Sequence, residues 1–190
     1  MRLIRFTALL DANVLYSMPI CDTALRFAQR DLYAPRWSDA IIEEAQRNLI
    51  DSGKWNPERI RRRFQLIREV FADSEVAGYE SLVDLMRCHP KDRHVLAAAV
   101  WGNVDQIVTF NQKDFPEGAV TPYGIEVVSP DDFLLNVLDM FPRTAVEVIK
   151  EQAADLRKPP MSVDEVIAAL SKCGVPEFAQ TVDNIIRASD

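Results

Sequence analysis

Leu9-Leu10-Asp11-Ala12-Asn13-Val14-Leu15 runs an apolar segment straight into an acid and an amide. Val108-Thr109-Phe110-Asn111-Gln112-Lys113-Asp114-Phe115 repeats the arrangement almost a hundred residues later. In open α/β sheets ligands sit outside the carboxyl ends of the strands, so acids at such ends are placed for chemistry rather than for packing. Around these anchors the elements alternate. Residues 3–10 read as a buried strand, 22–30 as a short helix, 31–35 as a second strand and 38–50 as a helix entered through Ser38. Pro57 opens a basic amphipathic helix to about Phe71, and another helix is expected over 80–87. His89-Pro90 marks a new start, with a helix over 95–101 that Gly102 ends in the position of a C-cap. Residues 105–110 and 125–128 are strand-like, and Ser129-Pro130-Asp131-Asp132 combines a cap, a first-turn proline and an acid three residues on. This punctuation predicts an α/β fold with a mostly parallel central sheet covered by helices.

Beyond about Pro142 only helical periodicity remains, over 144–156, 162–172 and 176–188. Ser162 and Glu165 are spaced as a capping box, Gly174 ends that helix, and Arg157-Lys158-Pro159-Pro160 is the best linker candidate. The expected organisation is an α/β domain over residues 1–141 and a helical carboxy-terminal extension over 142–190.

The 190 residues are 48% hydrophobic and 27% charged, the balance of a folded globular protein rather than a disordered one. No run approaches the roughly 20 apolar residues of a membrane span, and Asp11 arrives too early for a secretory leader, so a cytoplasmic protein is expected. Cys21, Cys88 and Cys173 are odd in number and widely spaced, which argues against a disulfide framework or a thiolate zinc site and for small core residues. A net charge of −7 lacks the basic footprint usual for a nucleic-acid binder. Divalent ions held by carboxylates, however, invert the local sign. Arg59, Arg61, Arg62, Arg63 and Arg68 also crowd the segment 57–70. That helix suits nucleic-acid phosphates, a solvated surface or a partner protein equally well.

Several acids could serve a pocket at the strand ends. If a helix begins near Pro90, Asp92 shares a face with Val95, Leu96 and Ala99, which places a carboxylate on the inward stripe. Its bland alternative is a first-turn acid favoured by the helix dipole. Glu44 lies somewhat nearer than Glu43 to the apolar stripe Ile41, Ile42, Ala45 and Leu49. Asn111 and Asp114, like Asn13 beside Asp11, could also satisfy local loop hydrogen bonds. Only His89 and His94 are present, which gives poor support to hydrolysis by a histidine pair, and His94 is expected on the outer face of its helix.

Leu-Asp-Ala-Asn-Val-Leu, Ser-x-x-Ile-Ile-Glu-Glu, Pro-Lys-Asp-Arg-His-Val-Leu-Ala-Ala-Ala and Ile-Val-Thr-Phe-Asn-Gln-Lys-Asp-Phe-Pro follow one another in the order found in the PIN domain. Over about residues 5–140 the chain resembles that family, and especially the VapC-type toxins of bacterial toxin–antitoxin pairs. The resemblance implies a PIN-like three-layer α/β/α nuclease domain that binds Mg²⁺ or Mn²⁺ and cleaves single-stranded or structured RNA. It implies Asp11, Glu44, Asp92 and Asp114 as the catalytic, metal-binding acids, with Asn13 and Asn111 in support. The fourth ligand place stays open between Asn111 and Asp114. A cognate antitoxin and a homodimer are implied in the same way, and Arg59, Arg61, Arg62 and Arg63 are candidates for RNA contact. Two other classes compete. A phosphoaspartate phosphatase would use Asp11 as nucleophile but wants a second Asp where Asn13 stands. A PIN-like binding module that has lost its metals would not need all four acids.

Overall fold

A computed structural model describes residues 6–188; residues 3–5 of the expected first strand lie outside them. Four short strands, β1 (Thr7–Leu10), β2 (Ala34–Arg36), β3 (Gln106–Val108) and β4 (Glu126–Val128), form one sheet in the order β2-β1-β3-β4. Every pairing is parallel, with Leu9 beside Arg36 on one side and Ile107 on the other. Leu9, Leu10, Ile107 and Val108 are fully buried, as the continuous apolar runs of a parallel sheet covered on both faces require. The chain goes from β1 to β2 on one side and later returns to place β3 on the other. The carboxyl ends of β1 and β3 therefore flank the point where strand order reverses, the position at which open α/β sheets form a crevice.

The helices are α1 (Ala12–Tyr16), α2 (Met18–Gln29), α3 (Asp39–Asp51), α4 (Pro57–Val70), α5 (Arg93–Trp101), α6 (Glu117–Val120), α7 (Pro130–Met140), α8 (Pro142–Asp155), α9 (Val163–Lys172) and α10 (Pro176–Arg187). They divide between two compact units. The first comprises the chain up to Tyr16 with Ala34–Val128, and holds the sheet. The second comprises Ser17–Tyr33 with the chain from Ser129 on.

In the first unit, Ser38 caps α3 by accepting from the Ile41 amide, and Ile41, Ile42, Ala45 and Leu49 are all buried. α1 and α4 both pack on α3. Asn56 caps α4 through bonds from the Glu58 and Arg59 amides at 2.9 and 3.2 Å, and Ile60, Phe64 and Ile67 form its inner stripe. Val95 to Ala99 of α5 are fully buried on every side, which the run of small alanines permits. A helix clamped all round holds the residues at its amino end in place.

The second unit is all helical. Phe27 meets Phe178 edge-on at 6.1 Å, and Tyr33 meets Phe133 at 4.9 Å. The carboxylate of Asp131 accepts from the Glu177 and Phe178 amides at 3.0 and 2.8 Å, capping α10 from another helix where Val175 offers no side chain to do so. The Ser162–Glu165 capping box is formed as expected.

Several local expectations are corrected. Residues 80–87 form 3-10 turns at Glu80–Leu85 instead of an α-helix; none of the six is fully buried, so little apolar burial offsets the cost of helix nucleation. The expected second strand shifts to Ala34–Arg36 because α2 runs on to Gln29 and Asp31 takes a left-handed φ of 61°. Gly102 ends α5, but at an ordinary φ of −76°. Space explains the glycine: a Cβ there would stand 2.9 Å from a Val76 methyl and 3.0 Å from the Ala98 carbonyl oxygen. Cys21 and Cys88 are buried and Cys173 is partly exposed. No helix among the described residues is long and apolar enough to cross a membrane.

Candidate functional site

Asp11 extends the β1–β3 ladder by one residue, donating its amide to the Val108 carbonyl at 3.1 Å, and its own carbonyl opens α1 by accepting from Val14 and Leu15. The strand thus ends in a helix start, and the side chain between them is held at the crevice with 4% exposure. Its Oδ1 accepts from the Ala12 amide and its Oδ2 from Asn13 Nδ2 and Thr109 Oγ1, each at 2.7 Å. A carboxylate offers about four acceptor positions, so one on Oδ1 remains open. Asn13 also bonds Thr109 Oγ1 at 3.0 Å, and its Oδ1 accepts from the Phe110 amide at 3.2 Å. It ties the two strand ends together.

The other acids are linked to Asp11 in turn. Glu44 and Asp92 both act electrostatically on Asp11, and Asp114 and Glu44 both act on Asp92. Burial, opposed by the Thr109 and Ala12 hydrogen bonds and reinforced by Asp92 and Glu44, pushes the Asp11 carboxyl up to about 6. Asp92 is also raised, first by burial and then by Asp114, with His89 and His94 opposing. No salt bridge to Asp11 is present among the described residues. Concentrated acid charge without a cation is the donor chemistry that suits a hard divalent ion, and Asp11, Glu44, Asp92 and Asp114 are the residues that could hold one. Thr109→Val removes a bond that stabilises the ionised form, so in metal-free protein the Asp11 pKa is expected to rise above about 6. A carbon-13 NMR titration of the carboxyl checks this.

Asp92 does not begin an α-helix with its neighbours. Pro90–Asp92 is a 3-10 turn, Asp92 is the N-cap position of α5, and its side chain makes no capping bond. This change of pitch also corrects the expectation for His94. Its Nδ1 donates to the Lys91 carbonyl at 2.8 Å and its Nε2 lies 3.7 Å from Glu44 Oε2, so the ring faces the acids instead of solvent. Glu44 is partly buried and Glu43 exposed. Asp114 is partly buried, whereas the Asn111 side chain is exposed and Asn111 contributes its amide, which donates to Thr109 Oγ1 at 3.0 Å. Sequence reading missed Thr109, His89 and His94. The threonine directly follows β3, and that register beside Asp11 was the available signal.

On α4, Arg59, Arg61 and Arg62 are exposed, while Arg63 is partly buried over the Phe64 ring with one guanidinium nitrogen lacking a hydrogen-bond partner. Arg68 is paired with Asp39 and Glu75. The helix packs on α3, which carries Glu44.

An all-parallel sheet flanked by helices is the architecture expected of a PIN-like protein, and the chain has it. A family model described as "VapC50 C-terminal domain" matches residues 130–184, inside the helical unit. Over 102 residues the chain is 43% identical to "Putative ribonuclease VapC50" of Mycobacterium tuberculosis, covering 54% of this chain and 60% of that protein. The chain therefore spans less than two thirds of this relative's length. Both findings bear out the resemblance to VapC-type PIN proteins. No solved structure matches the chain.

Proposed function

We propose that the chain is a divalent-metal-dependent endoribonuclease acting on single-stranded or structured RNA, the toxin of a toxin–antitoxin pair. The observation that carries this reading is the buried Asp11 carboxylate, with an open acceptor position and no salt bridge among the described residues, within the field of Glu44 and Asp92, the latter in turn acted on by Asp114. Asp11, Asp92, Glu44 and Asp114 would hold Mg²⁺ or Mn²⁺, and Asn111 would act only through its backbone. When bound, such an ion supplies Lewis-acid activation of water and neutralises charge developing on the phosphate. The chain's part is positioning. Thr109 and Asn13 fix the plane of the Asp11 carboxylate, and the buried α5 fixes Asp92. Arg59, Arg61 and Arg62, exposed on α4, would hold the RNA backbone, a role that supplies affinity without reading sequence. The similarity to a relative whose name describes a ribonuclease supports the activity.

With Mn²⁺ or Mg²⁺, the purified chain is expected to cleave single-stranded RNA, and EDTA should stop it. Gel analysis of RNA digests checks this, and intact RNA at every metal concentration, with no metal-induced shift in melting temperature, would favour a binding module instead. Acid-stable phosphorylation of Asp11 would point to the phosphatase chemistry. The toxin role predicts a small neighbouring reading frame whose product binds the chain and blocks cleavage, and we place the protein in the cytoplasm as a homodimer.

A further inference from the structure

We propose that His89 is a nitrogen ligand which, with Asp92 and Asp114, makes the cation site select Mn²⁺ over Mg²⁺. This rests on the metal-dependent reading above and deepens it. His89, Asp92 and Asp114 each offer one ligand atom, all within 4.8 Å of one another. Donors sharing one ion at bonds of about 2.1 Å lie roughly 3 to 4 Å apart, so small side-chain rotations close the set. The backbone holds the three together. The Asp92 amide donates to the His89 carbonyl at 2.9 Å, and the His89 amide donates to the Asp114 carbonyl at 2.9 Å.

The side chains are available. His89 Nδ1 lies 3.4 Å from Asp92 Oδ2, and the only hydrogen bond it accepts is a long one of 3.4 Å from the Lys91 amide, which an incoming ion can displace. The Asp92 carboxylate does not cap α5, and the Asp114 carboxylate accepts no hydrogen bond among the described residues. Mg²⁺ prefers an all-oxygen shell and dehydrates reluctantly. An imidazole in the set raises affinity for first-row transition ions instead, and Mn²⁺ is the member best suited to the remaining carboxylates.

Mn²⁺ binding to the full chain, followed by electron paramagnetic resonance with Mg²⁺ as competitor, tests the assignment without reference to activity. Wild type is expected to need about tenfold excess Mg²⁺ or more to release Mn²⁺, and His89→Ala to weaken Mn²⁺ binding about tenfold while changing Mg²⁺ binding far less. Spin-echo modulation from a coordinated nitrogen should appear in wild type and in His94→Ala and vanish in His89→Ala. An unchanged Mn²⁺ to Mg²⁺ preference with the nitrogen signal retained in His89→Ala overturns the proposal and leaves His89 as an ion-pair partner of Asp92. If wild type binds neither ion, the metal-dependent reading falls with it.

Discussion

Asp92→Asn and Asp11→Asn are each expected to lower metal-dependent RNA cleavage by about a thousandfold or more, while Glu43→Gln leaves it unchanged. A loss of that size is about 4 kcal/mol of transition-state stabilisation. It is reasonable for removing one charge from a set whose purpose is to concentrate a cation at the reacting phosphate. The contrast with Glu43 is the sharper part. Glu43 and Glu44 are adjacent in sequence, but Glu44 is partly buried facing His94 and within the field of Asp11 and Asp92, whereas Glu43 is exposed. Glu44→Gln should therefore lower cleavage where Glu43→Gln does not. Single-turnover rates at saturating Mn²⁺ measure the difference, and equal rates for the two glutamate variants would place the site elsewhere.

Metal-free wild type is expected to lose stability between about pH 4 and pH 7, and Asp11→Asn to melt higher than wild type at neutral pH. The folded-state pKa of Asp11 lies at about 6 against an ordinary 3.8, so the unfolded chain releases this proton first. Stability from this group is complete below pH 4 and is lost as pH rises through 6, amounting to about 3 kcal/mol. Asparagine removes the buried charge but cannot accept from all of Ala12, Asn13 and Thr109, which returns about 1 kcal/mol. The net gain of about 2 kcal/mol corresponds to roughly 4–8 °C in melting temperature. Divalent ion reverses the order, because wild type alone gains binding energy, about 2.7 kcal/mol at a hundredfold excess over its Kd. Calorimetry of both proteins from pH 4 to 8, with EDTA and with Mn²⁺, checks both signs. A wild type that melts above Asp11→Asn in EDTA at pH 7.5 would mean that the acid is compensated within the chain itself.

Much of the architecture was legible in the residues. β1, β3 and β4, the Ser38, Ser129 and Ser162 caps and the parallel sheet follow from apolar runs and local hydrogen-bonding chemistry, which act over a few residues. The preference for Glu44 over Glu43 was also visible, since helical periodicity separates adjacent positions by about 100°. Failures came where packing overrode local preference. Residues 80–87 have helical character but bury none of the six residues 80–85, and Gly102 answers to the side chain of Val76 rather than to a left-handed turn.

The strand-end acids at Asp11 and Asp114, and the motifs that carry the PIN resemblance, are properties of the sequence by itself. Only the tertiary structure decided what surrounds them. Parallel pairing of β1 with β3 brings Thr109 onto Asp11 across 98 residues, and a 3-10 turn rather than an α-turn at Pro90–Asp92 aims both histidines at the acids. Those relations depend on register and on pitch, which local residue chemistry leaves open. Burial, through the desolvation it imposes on Asp11, then sets the charge that the site must balance.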